Sequence, residues 1–265
     1  MAVNSITSRK NPLIIDTVSL RDKKNRDKTG CFAVEGIKLF TEALDAGLTL
    51  RHAFFTEKAL GLYPDAAKRA ETLYTVTDEV YDKLTEESAP QGVLGVFEKP
   101  EPLSDAAFAA DAGVKPFVLL DGVQNPANLG AVIRSAYCFG FERVIVSDGC
   151  ADLYGSKCLR AAMGTLFCVK VYAAGELCDA VDTLAAHGAR VYGTALRHDS
   201  LRLGHVEFKP SDCFVIGNEG HGADEKTLMH CTDTLFIPMH ENAESLNAAG
   251  AAAVVMWEMR RGLLR

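Results

Sequence analysis

Residues 116–138 read PFVLLDGVQNPANLGAVIRSAYC and join a predicted strand to a predicted helix. The first part, PFVLLDGV, is almost wholly apolar, which is typical of a strand buried on both faces of a parallel sheet. In the second part, apolar residues recur at helical spacing and form one stripe: Leu129, Val132, Ile133, Ala136 and Tyr137. A buried strand followed at once by an amphipathic helix is the repeating unit of an α/β protein.

Arg134 lies off this stripe, four residues after Gly130. Helical side chains lean toward the helix N-terminus, so the guanidinium is directed back over Gly130 toward the first turn, which Asn128 is expected to cap. A cation at the positive end of a helix is unfavourable unless an anion lies nearby. The geometry leaves two interpretations open: Arg134 binds a phosphate or a developing alkoxide, or it pairs with an ordinary surface carboxylate.

Further predicted strands follow this unit, at RVIVSDG, FCVKVY, ARVYGTAL, DCFVIGNEG and DTLFIPM, and helical segments separate several of them. A final helix is predicted from about residue 245 to residue 262. Strands that alternate with helices indicate a mostly parallel sheet with helices on both faces. Ligands are then expected at the carboxyl ends of the strands.

The N-terminal part of the chain shows a second, shorter alternation of strand and helix signals over residues 31–98. Pro100, Pro102 and several small residues follow it, a composition typical of a linker. The sequence therefore predicts a small α/β domain over residues 1–98, a linker over 99–114 and a larger α/β domain over 115–265.

The bulk composition predicts a soluble, cytoplasmic protein. The N-terminus lacks the apolar run of a signal peptide, and the longest small-apolar stretch, AAGAAAVVMW, has ten residues, too few to cross a bilayer. None of the eight cysteines forms a CxxC pair, and most lie in apolar runs, so we expect buried free thiols. No His/Cys spacing predicts a metal site.

One basic segment stands out from the net charge of −7. Residues 9–28 contain seven lysines and arginines against three aspartates. This excess is compatible with a solvated helix face or with a surface that follows nucleic-acid phosphates. The candidate phosphate-binding residues are Arg9, Lys10, Lys23, Lys24 and Arg26.

Two more polar loops follow predicted strands. VIGNEGHGAD, residues 215–224, has three glycines within six residues, which fits either close approach to a ligand or a surface turn. It is not GxGxxG, which disfavours a nicotinamide-dependent oxidoreductase. In IPMHENAESLNAA, residues 237–249, Ser245 is expected to cap the last helix, and the alanines after Asn247 indicate close packing in the core or across a dimer interface.

Taken in order, the three loops resemble the three motifs of the SpoU (TrmH-type) RNA ribose 2′-O-methyltransferases of the SPOUT superfamily. The matching segments are NPANLGAVIRSAYCFGF, FVIGNEGHG and IPMHENAESLNAA, and they cover essentially all of residues 115–265. One departure is Ala248-Ala249-Gly250, where the family usually carries a Val-Ser-Val type of segment. Residues 6–44 and the segment PQGVLGVFEKP more loosely resemble the N-terminal RNA-binding domain of many members.

The resemblance implies a C-terminal trefoil knot, a homodimer formed through the C-terminal domain and S-adenosylmethionine as the cofactor. It implies a cofactor pocket at the matching positions Thr194, Ala195, Gly217, Asn218, Gly220, Ile237, Met239 and Leu246. The catalytic residues that it implies are Asn128, Arg134, Glu219, Ser245 and Asn247.

The resemblance also suggests a mechanism and a substrate. Because the pKa of arginine exceeds ~12, we expect Arg134 to hold a phosphate and stabilise the developing alkoxide rather than act as a base. The 2′-hydroxyl requires RNA, and 23S-type ribosomal RNA is favoured over transfer RNA. A transfer-RNA methyltransferase and a non-catalytic RNA-binding or ribosome-assembly factor on the same fold are the alternatives.

Overall fold

The computed structural model describes residues 4–242 and 245–263, and it confirms the predicted α/β class. In chain order the strands of these residues are β1 (Asn4–Ile6), β2 (Cys31–Glu35), β3 (Leu50–Thr56), β4 (Leu73–Val76), β5 (Val93–Glu98), β6 (Phe117–Leu120), β7 (Arg143–Ser147), β8 (Lys170–Ala174), β9 (Val191–Thr194), β10 (Leu201–Arg202), β11 (Cys213–Ile216) and β12 (Asp233–Phe236).

The α-helices of the same residues are α1 (Pro12–Ser19), α2 (Lys23–Thr29), α3 (Ile37–Asp45), α4 (Glu57–Leu62), α5 (Pro64–Lys68), α6 (Asp78–Leu84), α7 (Asp105–Asp111), α8 (Pro126–Cys138), α9 (Ser156–Ala162), α10 (Leu177–Ala186), α11 (Glu225–His230) and α12 (Ala248–Arg260). A short 3₁₀ helix spans Thr165–Cys168.

The chain forms two compact units. The N-terminal unit comprises residues 1–100 and 154–167, and the C-terminal unit comprises residues 101–153 and 168–265. This division differs from the predicted boundaries at two places. Helix α9 belongs to the N-terminal unit, where the Tyr154 ring lies 4.8 Å from that of Phe32. Part of the predicted linker forms α7, whose Phe108 stacks 4.3 Å from Tyr172 in the core of the C-terminal unit.

The N-terminal unit is built on a mixed sheet with the strand order β1-β4-β3-β5-β2 over the described residues. Strands β1, β4 and β3 are parallel, whereas β5 runs antiparallel to β3 and β2. Ile14 of α1, Phe54 of β3, Val80 of α6 and Leu94 of β5 belong to one hydrophobic cluster. Burying these apolar side chains together stabilises the unit.

The C-terminal unit is built on a parallel sheet, as predicted. Within the described part of the chain its strand order is β10-β12-β9-β11-β6-β7-β8, and every neighbouring pair is parallel. All four residues of β6 are buried, which requires cover on both faces of the sheet. Strands β6 and β11 are neighbours, so the loops that follow them meet at one edge.

Helices cover the two faces of this sheet. On one face, Val181 and Leu184 of α10 pack in a cluster with Leu119 of β6 and Val215 of β11. Helices α8 and α12 pack on each other, and α12 contacts β11. Their C-terminal ends meet, because Arg260 Nε donates to the Phe139 carbonyl at 3.3 Å.

Among residues 4–242 and 245–263, no helix is both long and apolar enough to cross a bilayer.

Candidate active site

The candidate site begins where the loops after β6 and β11 are joined by hydrogen bonds. Asn218 Nδ2 donates to the Gly122 carbonyl at 2.8 Å, and the Asp224 amide donates to Asp121 Oδ2, also at 2.8 Å. These residues come from segments about one hundred positions apart. The first two motifs therefore form one structure at the carboxyl edge of the parallel sheet.

The Glu219 carboxylate binds the N-terminal end of α8 at the carboxyl edge of the sheet. Its Oε1 accepts hydrogen bonds from the Asn128 side-chain amide at 3.0 Å and the Asn125 backbone amide at 3.1 Å. Its Oε2 accepts from the Gln124 backbone amide at 3.2 Å. A carboxylate at a helix N-terminus is stabilised both by unpaired N–H groups and by the helix dipole. Glu219 therefore places negative charge at the first turn of α8, where it binds Asn128 and two backbone amides. Among the described residues it forms no ion pair with Arg134.

The surroundings of Glu219 also decide its ionisation state. Burial raises the pKa of this carboxyl, but the hydrogen bonds from Asn128 and from backbone amides, including those of Asn125 and Gln124, outweigh burial, and the pKa lies below its ordinary value. Glu219 is therefore ionised at neutral pH with both oxygens engaged. It is suited to holding α8 in place and is a poor proton acceptor.

The expected N-cap of α8 was wrong by three positions. The cap is Asn125, whose Oδ1 accepts from the backbone amides of Ala127 at 2.9 Å and Asn128 at 3.3 Å. Pro126 occupies the first helical position, where its missing N–H costs nothing. The Asn125–Pro126 pair was the sequence signal for this start. Asn128 lies one turn inside the helix and is free to bind Glu219.

Arg134 lies on the exposed side of α8. Among residues 4–242 and 245–263 it has neither a hydrogen-bond partner nor an ion-pair partner. The alternative of an arginine paired with a surface carboxylate is therefore not what the structure shows. An exposed, unpaired guanidinium is available to a ligand phosphate or carboxylate.

The glycine-rich loop after β11 owes its shape to contacts within itself. A Cβ on Gly217 would lie 1.9 Å from the Ala223 nitrogen, so only glycine allows the returning segment to pass. Asn218 and Gly222 exchange backbone hydrogen bonds at 2.9 and 3.0 Å. Asn218 Oδ1 also accepts from the Gly220 amide at 2.8 Å. Gly217 is thus required for packing inside the loop, whereas Gly220 is exposed to solvent.

The loop after β9 contains the predicted cofactor residues Thr194 and Ala195. The Thr194 hydroxyl donates to the Val215 carbonyl at 2.8 Å and therefore links β9 to β11. The Ala195 amide donates to the Leu235 carbonyl at 2.9 Å, while its own carbonyl accepts from Ser200 Oγ at 2.9 Å. These groups hold the strand ends together.

The third motif connects β12 to α12. Ile237 is half-buried, whereas Met239 and Leu246 are each 44% exposed. The predicted helix start at Ser245 was wrong, because Asn247 is the N-cap and its Oδ1 accepts from the Gly250 amide at 2.6 Å. Ser245 lies two residues before the cap and is exposed.

The basic segment of residues 9–28 divides between surface and interior. Arg9, Lys10, Lys23 and Lys24 are exposed. Arg26 is only 5% exposed, and its Nη1 donates to the carbonyls of Leu20 and Arg21 at 2.5 and 2.7 Å. We therefore withdraw Arg26 as an RNA-binding residue, because its charge is used to close the turn between α1 and α2.

A parallel sheet with two polar loops joined at its carboxyl edge defines an α/β protein with a ligand-binding edge. The SpoU rRNA Methylase family matches residues 115–257, and the MRM3-like substrate binding domain matches residues 11–95. The chain belongs to the SpoU rRNA methylase family.

Three relatives extend this result over the whole chain. The 23S rRNA (guanosine(2553)-2′-O)-methyltransferase RlmP of Bacillus subtilis is 33% identical over 97% of this chain and 100% of its own length. The structure of AdoMet-bound rRNA methyltransferase from Sinorhizobium meliloti has 28% identity and a TM-score of 0.87, with 99% of each chain covered. The SpoU methyltransferase AviRb from Streptomyces viridochromogenes, in complex with AdoMet, has 27% identity and a TM-score of 0.83, covering 96% of this chain and 98% of its own.

Proposed function

We propose that this protein transfers a methyl group from S-adenosylmethionine to a ribose 2′-hydroxyl of 23S-type ribosomal RNA. The observation that carries the proposal is the junction of Glu219 with α8, which fixes the helix that presents the unpaired Arg134. Relatives along the whole chain are named as 23S rRNA 2′-O-methyltransferases, which favours ribosomal over transfer RNA.

The cofactor pocket is proposed at the ends of β9, β11 and β12. Leu196, Met239 and Leu246 are exposed apolar side chains there, at 83%, 44% and 44%, on loops that otherwise carry polar residues. Uncovered apolar side chains beside backbone N–H and C=O groups suit a nucleoside-containing ligand. Because the side chains of Thr194 and Asn218 are engaged with carbonyl groups, these two residues would shape the pocket rather than donate side-chain hydrogen bonds to the ligand.

When bound, S-adenosylmethionine supplies the methyl group on its sulfonium sulfur. The ribose 2′-oxygen would bond to this methyl carbon as the carbon–sulfur bond breaks. The sulfur would leave as a neutral thioether, and the proton of the 2′-hydroxyl would pass to solvent water. Arg134 binds the phosphate next to the target ribose and stabilises negative charge on that oxygen. Alignment of the reacting atoms by the loops can contribute up to ~7–11 kcal/mol.

The remaining predicted catalytic residues are given positioning roles. Asn128 is held by Glu219 and orients the ribose or Arg134. Asn247 begins α12, and Ser245 precedes it on an exposed segment that can meet the RNA. A non-catalytic RNA-binding factor on the same fold would have no cofactor pocket, so calorimetry with S-adenosylmethionine separates the two functions.

Substitution of Arg134 tests the proposal. Arg134→Ala and Arg134→Lys should bind S-adenosylmethionine like the wild type in calorimetry, while methylation of ribosomal RNA falls by two orders of magnitude or more. Arg261→Ala removes an exposed arginine that pairs with Glu258 and serves as the control. Turnover of Arg134→Ala at the wild-type rate would contradict the assigned role.

RNA binding is proposed for the exposed part of the basic segment. Arg9 and Lys10 precede α1, and the Arg9 carbonyl accepts from Lys83 Nζ at 2.7 Å, so a third cation lies beside them. Lys23 and Lys24 open α2. These lysines and arginines would contact phosphates and supply affinity without base specificity.

We also propose the homodimer, the trefoil knot and a cytoplasmic location. Exposed Tyr137 on α8 and Val254 and Trp257 on α12 give these packed helices an apolar outer side suited to a second copy.

Strand β12 lies between β9 and β10, and the chain then returns to pack on α8, a path compatible with threading through a loop. A crystal structure in which the C-terminal segment does not pass through a loop of the chain would exclude the knot. The bacterial relative that acts on ribosomal RNA supports the cytoplasm, which cell fractionation can test.

A further inference from the structure

The N-terminal unit contains an open cavity where the parallel strands β3 and β4 end. Its volume is about 390 Å³, within the ~300–1,000 Å³ range of small-ligand sites. Lys58 and Tyr63 line it from the segment after β3, Asp78 and Asp82 from α6, and Gln91 from the loop before β5. The cavity lies inside residues 11–95, the part matched by the substrate-binding domain family.

The charged side chains that line the cavity are not paired with other described protein groups. Over the described residues, Lys58, Asp78 and Asp82 have neither an ion pair nor a side-chain hydrogen bond, although all three are exposed. Asp78 and Asp82 lie one turn apart on the same face of α6, so their two carboxylates repel each other. Carboxylates only accept hydrogen bonds, so a ligand with adjacent N–H donors would offset this repulsion.

The other walls suit a flat ring. Tyr63 is half-buried and Leu62 beside it is 59% exposed, so an aromatic ring and an apolar side chain line the opening. The Gln91 side chain is fixed, because its Oε1 accepts from the Ile37 amide at 2.9 Å. Unpaired bases in protein–RNA complexes stack on aromatic side chains and are recognised by hydrogen bonds along their edges.

We propose that this cavity binds an unpaired guanine of the RNA substrate, at a nucleotide other than the methylated one. Guanine presents N1–H and N2–H side by side on its Watson–Crick edge, matching the carboxylates of Asp78 and Asp82. Uracil places its single N3–H between two carbonyl oxygens, which these carboxylates repel. Lys58 can bind guanine O6 or a flanking phosphate. The proposal rests on the proposed function in taking RNA as the ligand.

Binding of nucleotides tests the cavity without methylation. In TROSY spectra of the full-length protein, guanosine 5′-monophosphate should shift amides of residues 56–63, 78–82 and 90–92, and uridine 5′-monophosphate should shift them much less. Asp78→Asn and Asp82→Asn should each weaken this binding about tenfold. Glu79→Gln neutralises a carboxylate on the same helix outside the cavity lining and should leave binding unchanged.

Methylation kinetics give the second measurement. Asp78→Asn should raise the KM for ribosomal RNA about tenfold, while S-adenosylmethionine binding stays at the wild-type value. Equal shifts with both nucleotides, or an unchanged KM, would overturn the guanine site and leave the proposed function standing. Shifts caused by an arginine-rich peptide but not by guanosine monophosphate would assign the cavity to a cationic protein segment and also overturn it. Absence of methyl transfer by the wild type would count against the proposed function alone, because nucleotide binding is measured separately.

Discussion

At the scale of single residues, Glu219 shows how one carboxylate can organise a site without taking part in proton transfer. It accepts three hydrogen bonds from the start of α8, and those bonds keep it ionised. The sequence placed Glu219 in a glycine-rich loop and Asn128 on a helix. Their contact spans 91 positions, and no local pattern encodes it.

Glu219→Gln should lower both stability and activity. A glutamine amide has one acceptor oxygen and a donor NH₂, so part of the start of α8 loses its acceptor. We expect a loss of about 1–3 kcal/mol in the free energy of unfolding, measured by chemical denaturation, and at least a tenfold lower rate of methylation. Glu207→Gln, at an exposed position, is the control. If Glu219→Gln kept the wild-type free energy of unfolding and the wild-type methylation rate, the positioning role of Glu219 would be wrong.

His52 should make the stability of the protein depend on pH. Burial, followed by the charge of Arg51, lowers the pKa of His52 from 6.5 to about 4. Between these values the unfolded chain binds a proton that the folded protein excludes. The stability that comes from keeping His52 neutral in the folded protein is therefore fully present above pH ~6.5. It is lost as the pH falls toward 4.

The variant His52→Phe would isolate this dependence. The ring of His52 packs edge-on against Phe54, so phenylalanine keeps the aromatic contact. Denaturation at pH 7 and pH 4.5 should show a smaller loss of stability in His52→Phe than in the wild type. His205→Phe, at an exposed site, should lose as much stability as the wild type. Identical pH slopes for wild type and His52→Phe would refute the assignment.

At the scale of elements, periodicity predicted where helices and strands lie but misplaced two helix starts. Asn128 and Ser245 were plausible caps by residue type, yet Asn125 and Asn247 have the hydrogen bonds. Pro126 explains the first case, since proline favours the first helical position. In the second, Asn247 itself has an extended backbone, and its Oδ1 accepts from the Gly250 amide.

Two glycines of the loop after β11 provide a matched test of its shape. In Gly217→Ala the new Cβ would meet the backbone of Ala223 at 1.9 Å, so the loop must open. In Gly220→Ala the nearest contact is Asn218 Oδ1 at 3.4 Å, which is ordinary van der Waals contact. Calorimetry should show S-adenosylmethionine binding lost in Gly217→Ala and retained in Gly220→Ala. Equal affinities in the two variants would show that the shape of this loop does not determine cofactor binding.

At the scale of the whole molecule, a net charge of −7 coexists with a basic surface on one segment. Lys23→Gln combined with Lys24→Gln should weaken RNA binding and reduce its salt dependence. The slope of log K against log salt should fall by about 0.7–0.9 for each phosphate that the variant no longer neutralises. Lys68→Gln, where the lysine pairs with Asp65, is the control. An unchanged slope would indicate a merely solvated helix face.

The exposed apolar side of α8 and α12 predicts self-association. Trp257→Glu places a charge at a position that is 52% exposed, so the fold should tolerate it, whereas a dimer interface there should not. Light scattering should report a dimer for the wild type and a monomer for Trp257→Glu. Met229→Glu, at a residue 67% exposed on α11, should remain a dimer. A monomeric wild type would end the dimer proposal.

The sequence by itself determined the α/β class, the strand ends that carry polar loops and the residue types at those ends. These follow from the spacing of apolar residues and from glycine, asparagine and proline, whose effects are local. Only the tertiary structure decided that Glu219 holds Asn128, that Gly217 packs against its own loop and that α9 belongs to the N-terminal unit. It also decided that Arg26 is buried while Lys23 and Lys24 are exposed. Each of these depends on which distant segments meet, and that is set by packing of the whole core rather than by neighbours along the chain.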